Sequence, residues 1–135
     1  MKKFTFRPSK NISIQYFANN TVFRPNLTSE LIVRAIEKNK KVIKKSNYIL
    51  DLGCGSGAIG ISIKKKIFKN SNVFFSDISK YAIKITEKNC KLNKINFIGR
   101  KSDLMSQWKS HHFDLIINDV SAISSYFSKK KFGII

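Results

Sequence analysis

Acidic side chains are scarce in this chain: 8 stand against 26 lysines and arginines, for a formal net charge of +18. Each carboxylate is therefore a rare choice, and its position carries information. Cysteine is nearly absent as well. Cys54 and Cys90 lie far apart, and neither has a partner at metal-ligand spacing, which argues against a disulfide framework and fits a reduced, cytoplasmic setting. No apolar run approaches the roughly 20 residues that span a bilayer. The opening Met1-Lys2-Lys3-Phe4-Thr5-Phe6-Arg7-Pro8 has no apolar stretch behind its lysines, so it does not read as a secretory signal. The two histidines, His111 and His112, are adjacent, point apart and make a poor metal pair. They are expected in solvent, and no metal is expected.

What remains is globular. With 42% hydrophobic and 12% aromatic residues in 135, the chain can build one domain with a modest core. Trp108 and the phenylalanines are expected to pack there. The positive charge leaves two readings open. Lysines neutralise phosphates, so RNA or ribosome contact is one. Lysine outnumbers arginine 22 to 4, however, in a chain also rich in asparagine and isoleucine, and A/T-rich codons alone would produce that bias. A surface chosen for base geometry would use more arginine.

Residues 1–25 alternate loosely between apolar and polar, which predicts a β hairpin acting as an annex or lid, with turns at Pro8–Asn11 and Ala18–Asn20. Residues 26–135 read as one α/β domain. Thr28 or Ser29 is expected to cap a helix that runs to about Lys45, with Ile32, Ala35, Ile36, Val42 and Ile43 on its apolar face. Strands are then expected at Tyr48–Leu52, Val73–Asp77, Ile95–Ile98 and Phe113–Asn118. Helices at Ser56–Phe68 and from a Ser79 cap to Leu92 separate the first three. Near-continuous apolar strands between helices imply a parallel sheet covered on both faces. The fourth strand lies close to Ile135, so a sheet lacking its last strands is expected, with an open edge that a second copy could cover.

The richest stretch is Ile49-Leu50-Asp51-Leu52-Gly53-Cys54-Gly55-Ser56-Gly57. A buried strand ends in an acid, breaks into a glycine turn and gives way to the helical pattern Ala58-Ile59-Gly60-Ile61. Such a junction lays bare backbone at the carboxyl edge of a sheet, where a nucleoside-bearing cofactor can lie on the main chain. Asp51, Asp77 and Asp119 stand at or just past strand ends, and Asp103 a few residues past one. Acids at successive ends of parallel strands converge in space. Asp114 begins a strand and reads as structural, and Cys54 reads as a turn residue rather than a nucleophile.

Asp51–Gly57 resembles the first motif of class I S-adenosylmethionine-dependent methyltransferases. Val22-Phe23-Arg24-Pro25-Asn26-Leu27-Thr28-Ser29-Glu30-Leu31 resembles the segment upstream of that motif in the small-methyltransferase group, which includes HemK-type protein-glutamine and ribosomal-RNA guanine methyltransferases. The resemblance implies a Rossmann-like sheet with its four strands in the order 3-2-1-4, helices on both faces, and S-adenosylmethionine as cofactor. It implies methyl transfer to a protein or RNA nitrogen. Asp77, 20 residues past Gly57, would take the ribose hydroxyls. Gly53, Gly55 and Gly57 would admit the cofactor to the backbone, with Cys54 and Ser56 in the same turn, and Asp51 would sit near its ammonium end. Ile78 would pack on the adenine, and Asp103, followed by Leu104, would accept from its amino group. Asn118 would face the methyl group and orient the attacking nitrogen, with Asp119 beside it in the catalytic set.

One departure stands out. The family follows the asparagine with two prolines and an aromatic, whereas here Asn118 precedes Asp119-Val120-Ser121, so a planar amide or base as acceptor is in question; Tyr126 or Phe127 are candidates to replace the aromatic. Two alternatives remain. Gly55-Ser56-Gly57-Ala58-Ile59-Gly60 also matches the dinucleotide pattern GxGxxG, which would make the chain an NAD(P)-binding enzyme. A shortened, non-catalytic remnant that binds cofactor or RNA is the other.

Overall fold

The computed structural model describes residues 1–43 and 46–119. It opens with a hairpin of β1 (Lys2–Ser9) and β2 (Ile12–Ala18), followed by α1 (Leu27–Lys38), β3 (Tyr48–Leu52), α2 (Ala58–Lys66), β4 (Asn72–Asp77), α3 (Lys80–Leu92), β5 (Gly99–Lys101) and β6 (Leu115–Asn118). The last four strands form one parallel sheet in the order β5-β4-β3-β6. Counted from β3, that is the order 3-2-1-4. Residues 120–135, which include Tyr126 and Phe127, lie outside the described residues.

One face of the sheet presents Ile49, Val73, Phe75 and Ile117 to a core shared with Val33 of α1, Ile59, Ile61 and Ile63 of α2, and Phe6, Ile12, Ile14 and Tyr16 of the hairpin. On this side α2 packs against both α1 and α3, and the hairpin packs against all three helices. The opposite face carries Phe74 and Ser76. Among the described residues it is covered by turns around Trp108, whereas the resemblance implied helices on both faces. The Trp108 indole donates to Ser76 Oγ at 2.9 Å and meets Phe74 edge-on at 5.8 Å. His111 is drawn into this cluster instead of solvent: its ring lies 5.2 Å from Trp108 and stacks on Phe113. An imidazole has two flat apolar faces, and only His112 of the pair stays exposed.

Three boundaries differ from the sequence pattern. Asn26, not Thr28 or Ser29, caps α1: its Oδ1 accepts from Ser29 N–H at 3.2 Å, and Ser29 Oγ accepts in return from Asn26 N–H at 3.1 Å. The helix also stops at Lys38, because the Asn39 amide donates to Ala35 O at 2.7 Å and competes with the backbone ladder. Val42 is consequently 87% exposed. Finally, β5 starts at Gly99 instead of Ile95. Ile95 spends its N–H closing the end of α3 on Cys90 O at 2.9 Å, and the ladder begins with Phe75 N–H on Ile98 O at 2.8 Å. In the hairpin, Pro8 sits inside β1 at an irregularity between Phe6 and Ser9, and Lys10–Asn11 form the turn.

Candidate active site

A cavity of about 500 Å³ opens at the carboxyl ends of β3, β4 and β6. Its floor is the turn after β3. Gly53, Gly55 and Gly57 all hold positive φ (72°, 57° and 83°), a run that side chains resist. Gly53 and Cys54 anchor the turn by donating to Ser76 O at 2.8 and 2.9 Å. Helix α3 grips it from behind, as Thr86 Oγ1 donates to Gly55 O at 3.0 Å and Asn89 Nδ2 to Ser56 O at 2.7 Å. Asn89 also donates to Phe17 O at 2.9 Å, so one buried amide joins the turn to the hairpin. Gly57 supports the turn from outside the cavity lining, because a Cβ there would meet Thr86 Cγ2 at 2.8 Å.

Asp51 explains how α2 begins. Gly57, its N-cap residue, has no side chain to offer, and the buried Asp51 carboxylate serves from the neighbouring strand, accepting from Gly60 N–H at 2.9 Å. The approach requires glycine at 60, where a Cβ would fall 2.4 Å from the Phe75 ring and 2.9 Å from Asp51 Oδ2. Burial outweighs the Gly60 hydrogen bond and, helped by the Asp77 and Asp119 charges, raises the Asp51 carboxyl to about 7. Cys54 and Cys90 are buried free thiols. Burial holds Cys54 well above the usual thiol range, which suits a packing role.

The other acids surround the same space. Asp77 Oδ2 accepts from Gly55 N–H and its Oδ1 from Ser79 N–H, both at 2.9 Å, which fixes the carboxylate between the turn and the start of α3. Ile78, 63% exposed, and Leu104, 66% exposed, present apolar surface to the cavity beside Asp103. Leu104 sits at φ 51°, and Ser102 Oγ donates to its carbonyl at 2.8 Å. Strain of this kind gathers at ligand sites. On the β6 side, Asn118 and Asp119 line the cavity. Ser29 Oγ donates to Asp119 Oδ2 at 2.6 Å, which ties the start of α1 to the end of β6. Asp114 is placed elsewhere, accepting from Asn47 N–H and Tyr48 N–H at 2.8 and 2.9 Å where β3 begins.

A bare glycine turn and four aspartates thus surround one cavity. Residues 17–119 match the family model of the methyltransferase small domain. The chain belongs to this family. As a small-domain methyltransferase sequence it is 36% identical over 107 residues to a release factor glutamine methyltransferase of Flavobacterium psychrophilum, an alignment covering 77% of this chain and 37% of that protein. It is 32% identical over 83 residues to a ribosomal protein L11 methyltransferase of Thermotoga petrophila, covering 62% of the chain and 30% of the relative. The chain thus spans about a third of the length of these curated relatives. Its fold is shared with a 16S rRNA N2 methyltransferase of T. thermophilus solved with S-adenosylmethionine and guanosine (TM-score 0.71, 16% identity, 87% of this chain and 32% of that one). A ribosomal protein L11 methylase of Lactobacillus delbrueckii is similar as well (TM-score 0.64, 21% identity, 84% and 65%). The family match sets the GxGxxG reading aside; Gly60 packs α2 against β4, a role that the dinucleotide pattern gives its third glycine as well.

The structure brings Asp51, Gly53, Cys54, Gly55, Ser56, Asp77, Ile78, Asp103, Leu104, Asn118 and Asp119 to the cavity, and of the residues singled out for the site it leaves only Gly57 behind the lining. Sequence reasoning missed Arg24 and Ser29 as wall residues, and Thr86 and Asn89 as supports. Arg24 and Ser29 fell within the upstream resemblance and could have been found there. Thr86 and Asn89 left no trace beyond two polar residues on the inner face of an amphipathic helix.

Proposed function

We propose that this chain binds S-adenosylmethionine in the cavity at the strand ends and directs its methyl group to a nitrogen of a protein or RNA in the translation apparatus. The observation that carries the reading is Asp77, whose carboxylate is fixed by two backbone donors at the edge of a turn without side chains. The cavity fits the group. Its size lies in the range of about 300–1,000 Å³ typical of small-molecule sites, and a Cβ added at Gly53 or Gly55 would meet nothing closer than 3.7 or 3.6 Å.

In this reading each Asp77 oxygen keeps a second acceptor position for a ribose hydroxyl. The exposed faces of Ile78 and Leu104 hold the adenine, and Asp103 accepts from its amino group. Arg24 is the one cation among the described residues lining the cavity and takes the methionine carboxylate. Asp51, next to the turn, faces the ammonium end. When bound, the sulfonium supplies an already activated carbon, so the protein's work is alignment and exclusion of water. Asn118 orients the acceptor nitrogen, and Asp119 positions the wall opposite it through Ser29. The translation assignment takes its support from the relatives, which are named for a release factor, ribosomal protein L11 and 16S rRNA.

Calorimetric titration of S-adenosylmethionine checks the cofactor reading. The Asp77→Ala chain is expected to bind about 100-fold more weakly, the loss of two charge-assisted hydrogen bonds. Equal affinity in both chains would overturn the reading. Transfer of radiolabelled methyl to ribosomal protein or RNA tests the reaction itself.

A further inference from the structure

The opposite end of the sheet carries a second groove, and we propose that it docks the phosphate backbone of RNA. The groove, about 430 Å³, is lined by Lys64, Lys65, Lys69, Asn93, Lys94 and Asn96, with Ile95 at its base. It lies between the end of α2 and the loop into β4 on one side, and the end of α3 and the loop into β5 on the other. This is the amino edge of the strands, a helix length away from the glycine turn. Residues 58–76 and 88–102 contain no acidic residue, so nothing in either segment neutralises the lysines that meet here.

Two of those lysines have work inside the fold. Lys64 Nζ donates to Lys69 O and Ser71 O, both at 2.7 Å, and Lys65 Nζ to Asn93 Oδ1 at 3.4 Å. Lys69 and Lys94 are exposed in the groove, and Lys66 and Lys91 are exposed in the last turns of the two helices whose ends form it. Helix carboxyl ends attract cations in any protein. Lys94 goes beyond that rule. It stands just past the Asn93 cap, where its N–H donates to Lys91 O at 3.1 Å and Ile95 N–H to Cys90 O at 2.9 Å. That is a Schellman ending, whose left-handed residue is ordinarily glycine. Here it is lysine at φ 59°. A charged side chain is held where the backbone disfavours any side chain, and it lines the groove.

The chemistry suits a sequence-blind backbone reader. Lysine offers point charges on flexible stems and lacks the fork that reads bases. Among the described residues, none of the exposed large apolar side chains lines the groove, which argues against a lipid surface as its partner. The choice of RNA as the polyanion rests on the proposed place of the acceptor in translation; the groove's charge does not.

Fluorescence anisotropy with a labelled mixed-sequence RNA, titrated with the full chain at several salt concentrations, tests the docking. Replacing Lys66→Gln, Lys69→Gln, Lys91→Gln and Lys94→Gly together is expected to weaken binding tenfold or more and to lower the salt slope by about 3, near 0.7 per lost phosphate contact. Removing the same charge elsewhere, by Lys38→Gln, Lys40→Gln, Lys80→Gln and Lys84→Gln, is expected to change affinity less than threefold. Lys94→Gly alone is expected to raise the melting temperature while weakening RNA, which separates binding from folding. Equal losses in the two quadruple variants, or tighter binding to duplex DNA or to anionic phospholipid vesicles than to RNA, would overturn the proposal. The readout involves neither cofactor nor methyl transfer, so its failure leaves the reading of the cavity standing, and failure of that reading leaves this measurement intact.

Discussion

The two ends of the parallel sheet follow opposite rules. At the carboxyl edge, short side chains and bare backbone hold one another in place: Asp51 on Gly60, Asp77 between Gly55 and Ser79, Ser29 on Asp119. At the amino edge, charge sits on long lysine stems in an open groove. One edge is intolerant of a single added carbon, and the other is expected to lose stems with little structural consequence. A composition skewed to lysine thus supports both a tight cavity and a diffuse charged face, because four of the eight acids line the cavity and none falls within residues 58–76 or 88–102.

The contrast is broken most directly at Gly60. Alanine there would drive its Cβ to 2.4 Å from the fully buried Phe75 ring. Overpacking of this kind costs about 3 kcal/mol, against a gain of about 1 kcal/mol in helix propensity. Urea unfolding is expected to show a net loss of about 2 kcal/mol, whereas Lys69→Ala at the other edge stays within about 0.5 kcal/mol. Equal effects would erase the distinction.

Proton uptake sharpens it further. The Asp51 carboxyl is raised from 3.8 to about 7 by burial, so the folded chain retains a proton that the unfolded chain releases. Stability is therefore greatest below about pH 4 as far as this group is concerned, and falls as pH rises toward 7, by an amount on the order of a few kcal/mol. Asp51→Asn keeps an oxygen for Gly60 and is expected to flatten that slope in a pH series of unfolding curves. Within the carboxyl edge, the smallest effect is expected at Ser29. Ser29→Ala removes one member of the capping box and the hydrogen bond to Asp119, at about 1 kcal/mol by the same measurement.

Much of the carboxyl edge was legible in the sequence, because glycine and aspartate act there through spacing and the chain has few acids to confuse the pattern. The strand order came from the family resemblance, and Ser79 was legible as a cap because it stands directly before an amphipathic helical pattern. Elsewhere the local rule was overruled by partners distant in sequence. β5 reads as Gly99-Arg100-Lys101 because it is an edge strand with half of its surface in solvent, so apolar periodicity pointed four residues too early. Asn39 cut α1 short by a side-chain contact that periodicity does not register. His111 was drawn into an aromatic cluster assembled from β4 and the turns before β6.

Arg24 sits between the hairpin and the cavity: it lines the cavity wall while its guanidinium lies 3.9 Å from the centre of the Phe4 ring. In the proposed reading the cofactor carboxylate takes this guanidinium, so occupancy of the cavity and order in the first strand are expected to be coupled, and coupling free energies act equally in both directions. Immobilising the guanidinium then shifts the fraying equilibrium of the amino terminus toward the paired strand, and fraying weakens the grip on the bound molecule by the same factor.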